Sequence, residues 1–189
     1  MKLHPLPLAG AYLLEQEPFT DARGQFNRTF DAPLLDAHGL QSRVAQAALS
    51  SNNRAGTLRG LHLQLPPAAE AKTISCWRGA IHDVIVDLRT GSSTRGRWYA
   101  TTLRAGDNRM LYVPEGFAHG YQALEDDTIA HYTMSAPYAP EHARGIRWND
   151  PQLGIPWPLR DPILSDRDAT LPTLVEFLSG PEARGLPRV

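Results

Sequence analysis

The sequence predicts an all-β sandwich or barrel, and three observations carry that prediction. Short apolar or alternating runs recur at regular spacing, turn-prone clusters separate them, and no helical periodicity fills the intervals. Glycine and proline supply about one residue in six, above the usual share, and they are spread along the chain as many short strands require.

Taken in order, the expected strands cover residues 12–14, 43–49, 57–65, 72–78, 80–88, 98–103, 110–113, 120–124 and 128–134. The turns between them fall at residues 50–53, Pro66-Pro67, Arg78-Gly79, and residues 90–93, 105–108 and 125–127. Asp31 can cap a short helix over residues 32–38 ended by Gly39, and Thr170 another over residues 171–178 ended near Gly180. Two proline-rich zones remain: residues 151–162 read as a meandering wrap and 181–187 as a frayed tail. With 189 residues, a single domain spanning 1–189 is expected, its core over about 10–168 and a C-terminal helix and tail over 169–189.

Nineteen basic against twenty acidic side chains, with no block of like charge, leave no footprint for nucleic acid or an anionic membrane. The lone Cys76 makes neither an internal disulfide nor a cysteine-rich zinc site, as suits a reducing cytosol. Leu3, Leu6, Leu8 and Ala9 after Met1-Lys2 resemble a weak signal peptide, but His4, Pro5 and Pro7 interrupt the run. No stretch reaches the ~18 apolar residues of a membrane span, so a cytoplasmic location is expected.

Polar residues then appear where a core belongs. A period of two puts Leu61, Leu63 and Leu65 on one face and Gly60, His62 and Gln64 on the other. In the run from Ala80, Ile81, Asp83, Ile85 and Asp87 alternate with His82, Val84, Val86 and Leu88, so an acid shares a face with isoleucines and needs a partner. The histidines at 62, 82, 119 and 131, on or beside strands, are the available partners. Such an interior suits a metal site or proton transfer; Gln64 stands where a second metal-binding His would fall, which favours proton transfer without a metal. Of the basic residues only Lys2 and Lys72 are lysines, and Lys72 opens a strand where a compact point charge differs from a guanidinium.

These segments together resemble the dTDP-4-dehydrorhamnose 3,5-epimerase family. The motifs are Leu58-Arg59-Gly60-Leu61-His62, Asp83-Val84 with Val86-Asp87-Leu88-Arg89, the run from Val113-Pro114-Glu115-Gly116 to Phe117-Ala118-His119-Gly120, and Gly145-Ile146-Arg147-Trp148-Asn149-Asp150-Pro151. The resemblance implies a cupin-type double-stranded β-helix, or jelly roll, with a few short peripheral helices. It also implies a homodimer whose N-terminal strands cross between subunits. It places the general base on His62, its paired acid on Asp168, the proton donor on Tyr132 and the active-site lysine on Lys72. Substrate contacts fall on Arg23, Phe26, Arg28, Arg59, His119, Tyr138 and Arg167, with Arg23 and Arg59 gripping the diphosphate and Tyr138 stacking on the nucleotide base. Several positions depart from the family pattern. Gln46 is followed by Ala47 and Ala48 instead of a Gln-x-Asn, Arg28 replaces a common Glu, Arg167 a Lys, and Thr133 a Lys.

The implied reaction, inversion of C3, C5 or both of a dTDP-linked 4-keto-6-deoxyhexose, requires no cofactor, because the ketone acidifies its neighbouring hydrogens. An imidazole with an ordinary pKa near ~6.5 suits the abstraction, and a phenol suits delivery to the opposite face. Strict alternation places Arg59 opposite His62, so both roles require a bulge or twist near Gly60, or a position close to the barrel rim. Competing readings are a single-centre epimerase, a non-catalytic sugar-nucleotide-binding cupin, and a metal-dependent cupin.

Overall fold

The structure, a computed structural model, describes residues 1–189. Six strands form one antiparallel sheet: β1 (Lys2–Pro5), β2 (Tyr12–Glu15), β5 (Gln46–Asn52), β7 (Lys72–Arg78), β10 (Arg109–Val113) and β12 (Thr128–Met134), in the order β1-β2-β10-β7-β12-β5. Five form the second: β6 (Leu58–Gln64), β8 (Ala80–Asp87), β9 (Trp98–Arg104), β11 (Phe117–Ala123) and β13 (Ala143–Gly145), in the order β13-β6-β11-β8-β9. A separate hairpin pairs β3 (Phe19–Asp21) with β4 (Gly24–Phe26). The two large sheets pack face to face as the expected jelly roll, with three short α-helices outside them.

The alternation within β8 follows from its place between two cores. Ile81 and Ile85 point between the sheets, where they meet Ile74, Leu111, Val113 and Ala130. Val84, Val86 and Leu88 point outward into a second core, where Leu61 and Leu63 of β6 meet Ile146, Leu153, Ile155, Leu174 and Phe177. A sheet buried on both faces must be apolar on both. The proline-rich wrap and the helix α3 (Leu174–Ser179) therefore act as the lid of this second core.

Several sequence expectations need correction. Residues 50–52, expected as a turn, belong to β5, because the Asn52 side chain is buried and donates to Ser50 O, Tyr121 Oη and Thr128 O. The cap of α3 is Thr173, not Thr170: Thr173 and Glu176 form a reciprocal capping box, while the Thr170 hydroxyl closes the preceding helix α2 (Asp166–Ala169) through Asp166 O and Arg167 O. The expected frayed tail instead forms a 3₁₀ turn over Pro181–Gly185, buries Leu186, and bridges Arg188 to Thr90. The helix α1 (Ala32–Ala37) does start from Asp31, and it packs Leu35 against Leu14 and Met110 on the outer face of the six-stranded sheet. Residues 2–5 form an edge strand, and no helix of the chain is long and apolar enough to cross a membrane.

Candidate active site

His62 stands on the inner face of β6, with Leu61 and Leu63 turned into the outer core. On the facing sheet, Lys72 and Tyr132 share the inward side of β7 and β12, where Lys72 pairs with Met134 and Tyr132 with Ile74. Imidazole and phenol thus stand on opposite walls. Two adjoining lobes open between these walls, of about 510 and 520 Å³, and His62, Lys72, Tyr132 and Arg167 line both.

Of the ways to bring Arg59 to the side of His62, the structure shows a bulge. His62 pairs with His119 and Arg59 with Tyr121, so three steps along β6 match two along β11. Gly60 takes φ +136° at this point, and a Cβ there would lie 2.5 Å from Gly120 Cα, so glycine is the residue that fits. The irregularity turns Arg59 into the lobe that holds His62, His119 and Asp168. Asn52 Oδ1 and Ser51 O accept from its guanidinium, and Asn52 in turn contacts the buried Tyr121 hydroxyl.

His62 Nε2 lies 2.6 Å from Asp168 Oδ1, and Asp168 Oδ2 accepts from the Gly60 amide. Burial opposes ionisation of Asp168, but the hydrogen bond and charge of His62, the Gly60 amide and nearby Arg167 outweigh it and hold the carboxyl below its usual range. An ionised Asp168 makes Nε2 the donor, which leaves Nδ1 of His62 with its lone pair. Ser165 caps the short helix that carries Asp168 and accepts from the Asp168 amide.

Behind this pair, His119 Nε2 lies 2.7 Å from Asp83 Oδ1, which answers the need of the acid on β8 for a partner. The other acid of that strand, Asp87, is held by Arg89, Ser92 and Thr94. Gln64 ties the turn after β6 to the loop after β12: it donates to Ala68 O and Pro137 O and accepts from the Ala139 amide, while Gln46 accepts from the Tyr138 amide. Tyr138 is thereby fixed at the rim of the first lobe.

Arg23, Phe26 and Arg28 do not join this cleft. They sit on or just after the β3–β4 hairpin, where Arg23 pairs with Asp21 at 2.6 Å, Arg28 with Asp31 at 3.3 Å, and Phe26 is 71% exposed. Strand pattern carries no information on how such a protruding hairpin is directed. Two charged lining residues were not singled out in the sequence, Glu70 and Arg144. The spacing Glu70-Ala71-Lys72, which puts acid and lysine on one side of an extended chain, was the available signal for the first.

A two-sheet jelly roll with an imidazole–carboxylate pair, a lysine and a phenol around an interior cleft defines a cupin with a site suited to proton transfer. The sequence profile of the dTDP-4-dehydrorhamnose 3,5-epimerase family matches residues 5–176, and the chain belongs to this family. A dTDP-4-dehydrorhamnose 3,5-epimerase of Sinorhizobium fredii is 40% identical over 178 residues, 94% of this chain and 91% of that protein. Among solved structures, the Bacillus anthracis dTDP-4-dehydrorhamnose 3,5-epimerase with TDP and pyrophosphate bound superimposes with a TM-score of 0.88 at 43% identity, covering 92% of this chain and 99% of that one. A 3'-monoepimerase from Streptomyces bikiniensis in complex with dTDP-quinovose gives 0.87 at 37%, covering 98% and 92%.

Proposed function

We propose that this chain is a cofactor-independent epimerase that inverts C3, C5 or both of a dTDP-linked 4-keto-6-deoxyhexose. The observation that carries the reading is the placement of His62 and Tyr132 on opposite walls of one cleft, with Lys72 beside both. A ring held between them loses a proton to His62 Nδ1 on one face, and the C–H electrons form the enolate of the C4 ketone. Lys72 donates to the oxygen as charge grows, with His119 at the wall of the second lobe. Tyr132 returns a proton to the other face, the electrons collapse back to the ketone, and solvent exchange restores imidazole and phenol. Asp168 orients His62 and favours its protonated form. Arg59 and Arg167 bind the diphosphate, and Tyr138 stacks on the base.

Incubation with dTDP-4-keto-6-deoxy-D-glucose in deuterated water, followed by NMR, is expected to place deuterium at C3, C5 or both. The labelled positions separate the double from the single-centre epimerase. Absence of exchange across a panel of such substrates overturns the proposal in favour of a binding protein. The positions of Arg23 and Phe26 are accounted for if the chain is a homodimer in which each hairpin reaches the cleft of the other copy. The exposed Phe19, Phe26, Leu49 and Trp77 support this assembly. Light scattering at micromolar concentration is expected to give twice the chain mass, and a monomer mass with full activity rules the assembly out.

A further inference from the structure

Of the charged groups in the cleft, the proton-transfer scheme leaves Arg144 and Glu70 without a task, and Glu70 is the acid of the two. Its Oε1 lies 3.0 Å from Lys72 Nζ, and the two side chains are only 9% and 13% exposed. Both line the first lobe together with His62 and Tyr132. The backbone between them is pinned: the Ala71 amide donates to Ser135 Oγ, and Ala71 O accepts from the Ser135 amide. The carboxylate is therefore held in place as a fixed neighbour of the ammonium.

That neighbour matters because the substrate class offers Lys72 two targets, a neutral ketone and a diphosphate with far more charge. An isolated ammonium is a strongly hydrated point charge on a flexible stem, and Coulomb attraction alone would take it to the phosphates. The cations meant for the phosphates are dressed differently. Arg59 is held by the neutral Asn52 and a carbonyl, and Arg167 forms no ion pair. We propose that Glu70 is a positioning and specificity residue: its carboxylate fixes Lys72 and cancels its charge toward the diphosphate, so that anion goes to the arginines and the ammonium is reserved for the sugar ketone. The contact with Glu70 is an ion pair at the side of the ammonium, so Lys72 keeps N–H groups for the oxygen on which the enolate charge develops. The inference rests on the epimerase reading and names a residue that reading does not require.

The test is Glu70→Gln, which keeps the shape and an acceptor oxygen for Lys72 but removes the charge. Pyrophosphate binding is measured by calorimetry at low salt, alongside kcat and KM. Pyrophosphate is expected to bind about three- to tenfold more tightly to this variant, with kcat and KM both falling as the substrate is drawn into a non-productive pose. Glu70→Asp, which retains the charge, is expected to keep wild-type pyrophosphate affinity. Glu141→Gln, which removes an exposed charge at the rim, is expected to change nothing. Equal pyrophosphate affinity in wild type and Glu70→Gln, an equal gain in Glu141→Gln, or no binding to any form overturns the inference. Lack of turnover by the wild type instead refutes the epimerase reading, whatever calorimetry shows.

Discussion

Two imidazole–carboxylate pairs lie side by side across the β6–β11 ladder, His62 with Asp168 and His119 with Asp83, and their ring-to-acid distances are nearly equal at 2.6 and 2.7 Å. Their surroundings differ. The His62 side chain is 34% exposed to the cleft, whereas His119 is 9% and Asp83 fully buried. Both oxygens of Asp168 have partners, one of them a backbone amide from the bulge; Asp83 Oδ2 has none. The first acid comes from a short helix 106 residues away in sequence, the second from the adjacent strand of the same sheet. In the proposed scheme the base must exchange protons with substrate and solvent, and a partner supplied from outside the sheet leaves its ring accessible. A ring that only shapes the cleft wall needs rigidity, which the sheet interior provides.

That contrast makes its largest prediction in rate. His62→Asn or Asp168→Asn is expected to lower deuterium exchange into the keto-sugar by about 10²- to 10⁴-fold with the fold intact, since one removes the base and the other frees its tautomer. His119→Asn leaves the base in place, so its rate loss is expected to stay within that of one lost oxyanion contact, about 2.7 to 4 kcal/mol or roughly 10²- to 10³-fold in kcat. It also loosens a buried pair, so its melting temperature should drop where that of His62→Asn does not. Equal rate losses with equal melting temperatures would erase the distinction between the two pairs.

The first pair was readable in sequence only through family resemblance, because Asp168 is too far along the chain for any local pattern to join it to His62. The second was half readable: alternation in β8 showed an acid among isoleucines, and a sheet interior bounded by His-bearing strands supplied its partner. The strand pattern was legible wherever side chains alternate against a core, as in β6, β7 and β8. It failed at Ser50-Ser51-Asn52, where turn-forming residues are held extended by hydrogen bonds to Tyr121 and Thr128 that no local rule contains. It failed also at the three-residue strands β3, β4 and β13, which are too short to show a period. In the site, single residues were legible as types, but the Glu70–Lys72 pairing and the direction of the hairpin depend on packing.

A third imidazole on the same five-stranded sheet has no carboxylate bonded to it. His82 packs edge-on against Trp157 at 5.9 Å between ring centroids, and its Nε2 is buried without a partner. Burial lowers its pKa from the ordinary value, with the nearby charge of Asp83 opposing. The folded state thus binds fewer protons at this site than the unfolded chain. Stability should be unaffected by His82 above about pH 6.5 and fall as pH drops below it, until the depressed folded pKa is passed. His131, stacked on Trp77 at 4.3 Å and likewise lowered by burial, acts in the same window. Asp168 and Asp87 give a separate loss at lower pH, as each carboxyl is protonated through its depressed folded pKa. Denaturant titrations between pH 8 and 5 are expected to show the midpoint falling in the wild type and falling less in His82→Gln. A midpoint that stays level to pH 5, or one equally steep in the variant, would show that the unpaired imidazole is not kept neutral by its burial.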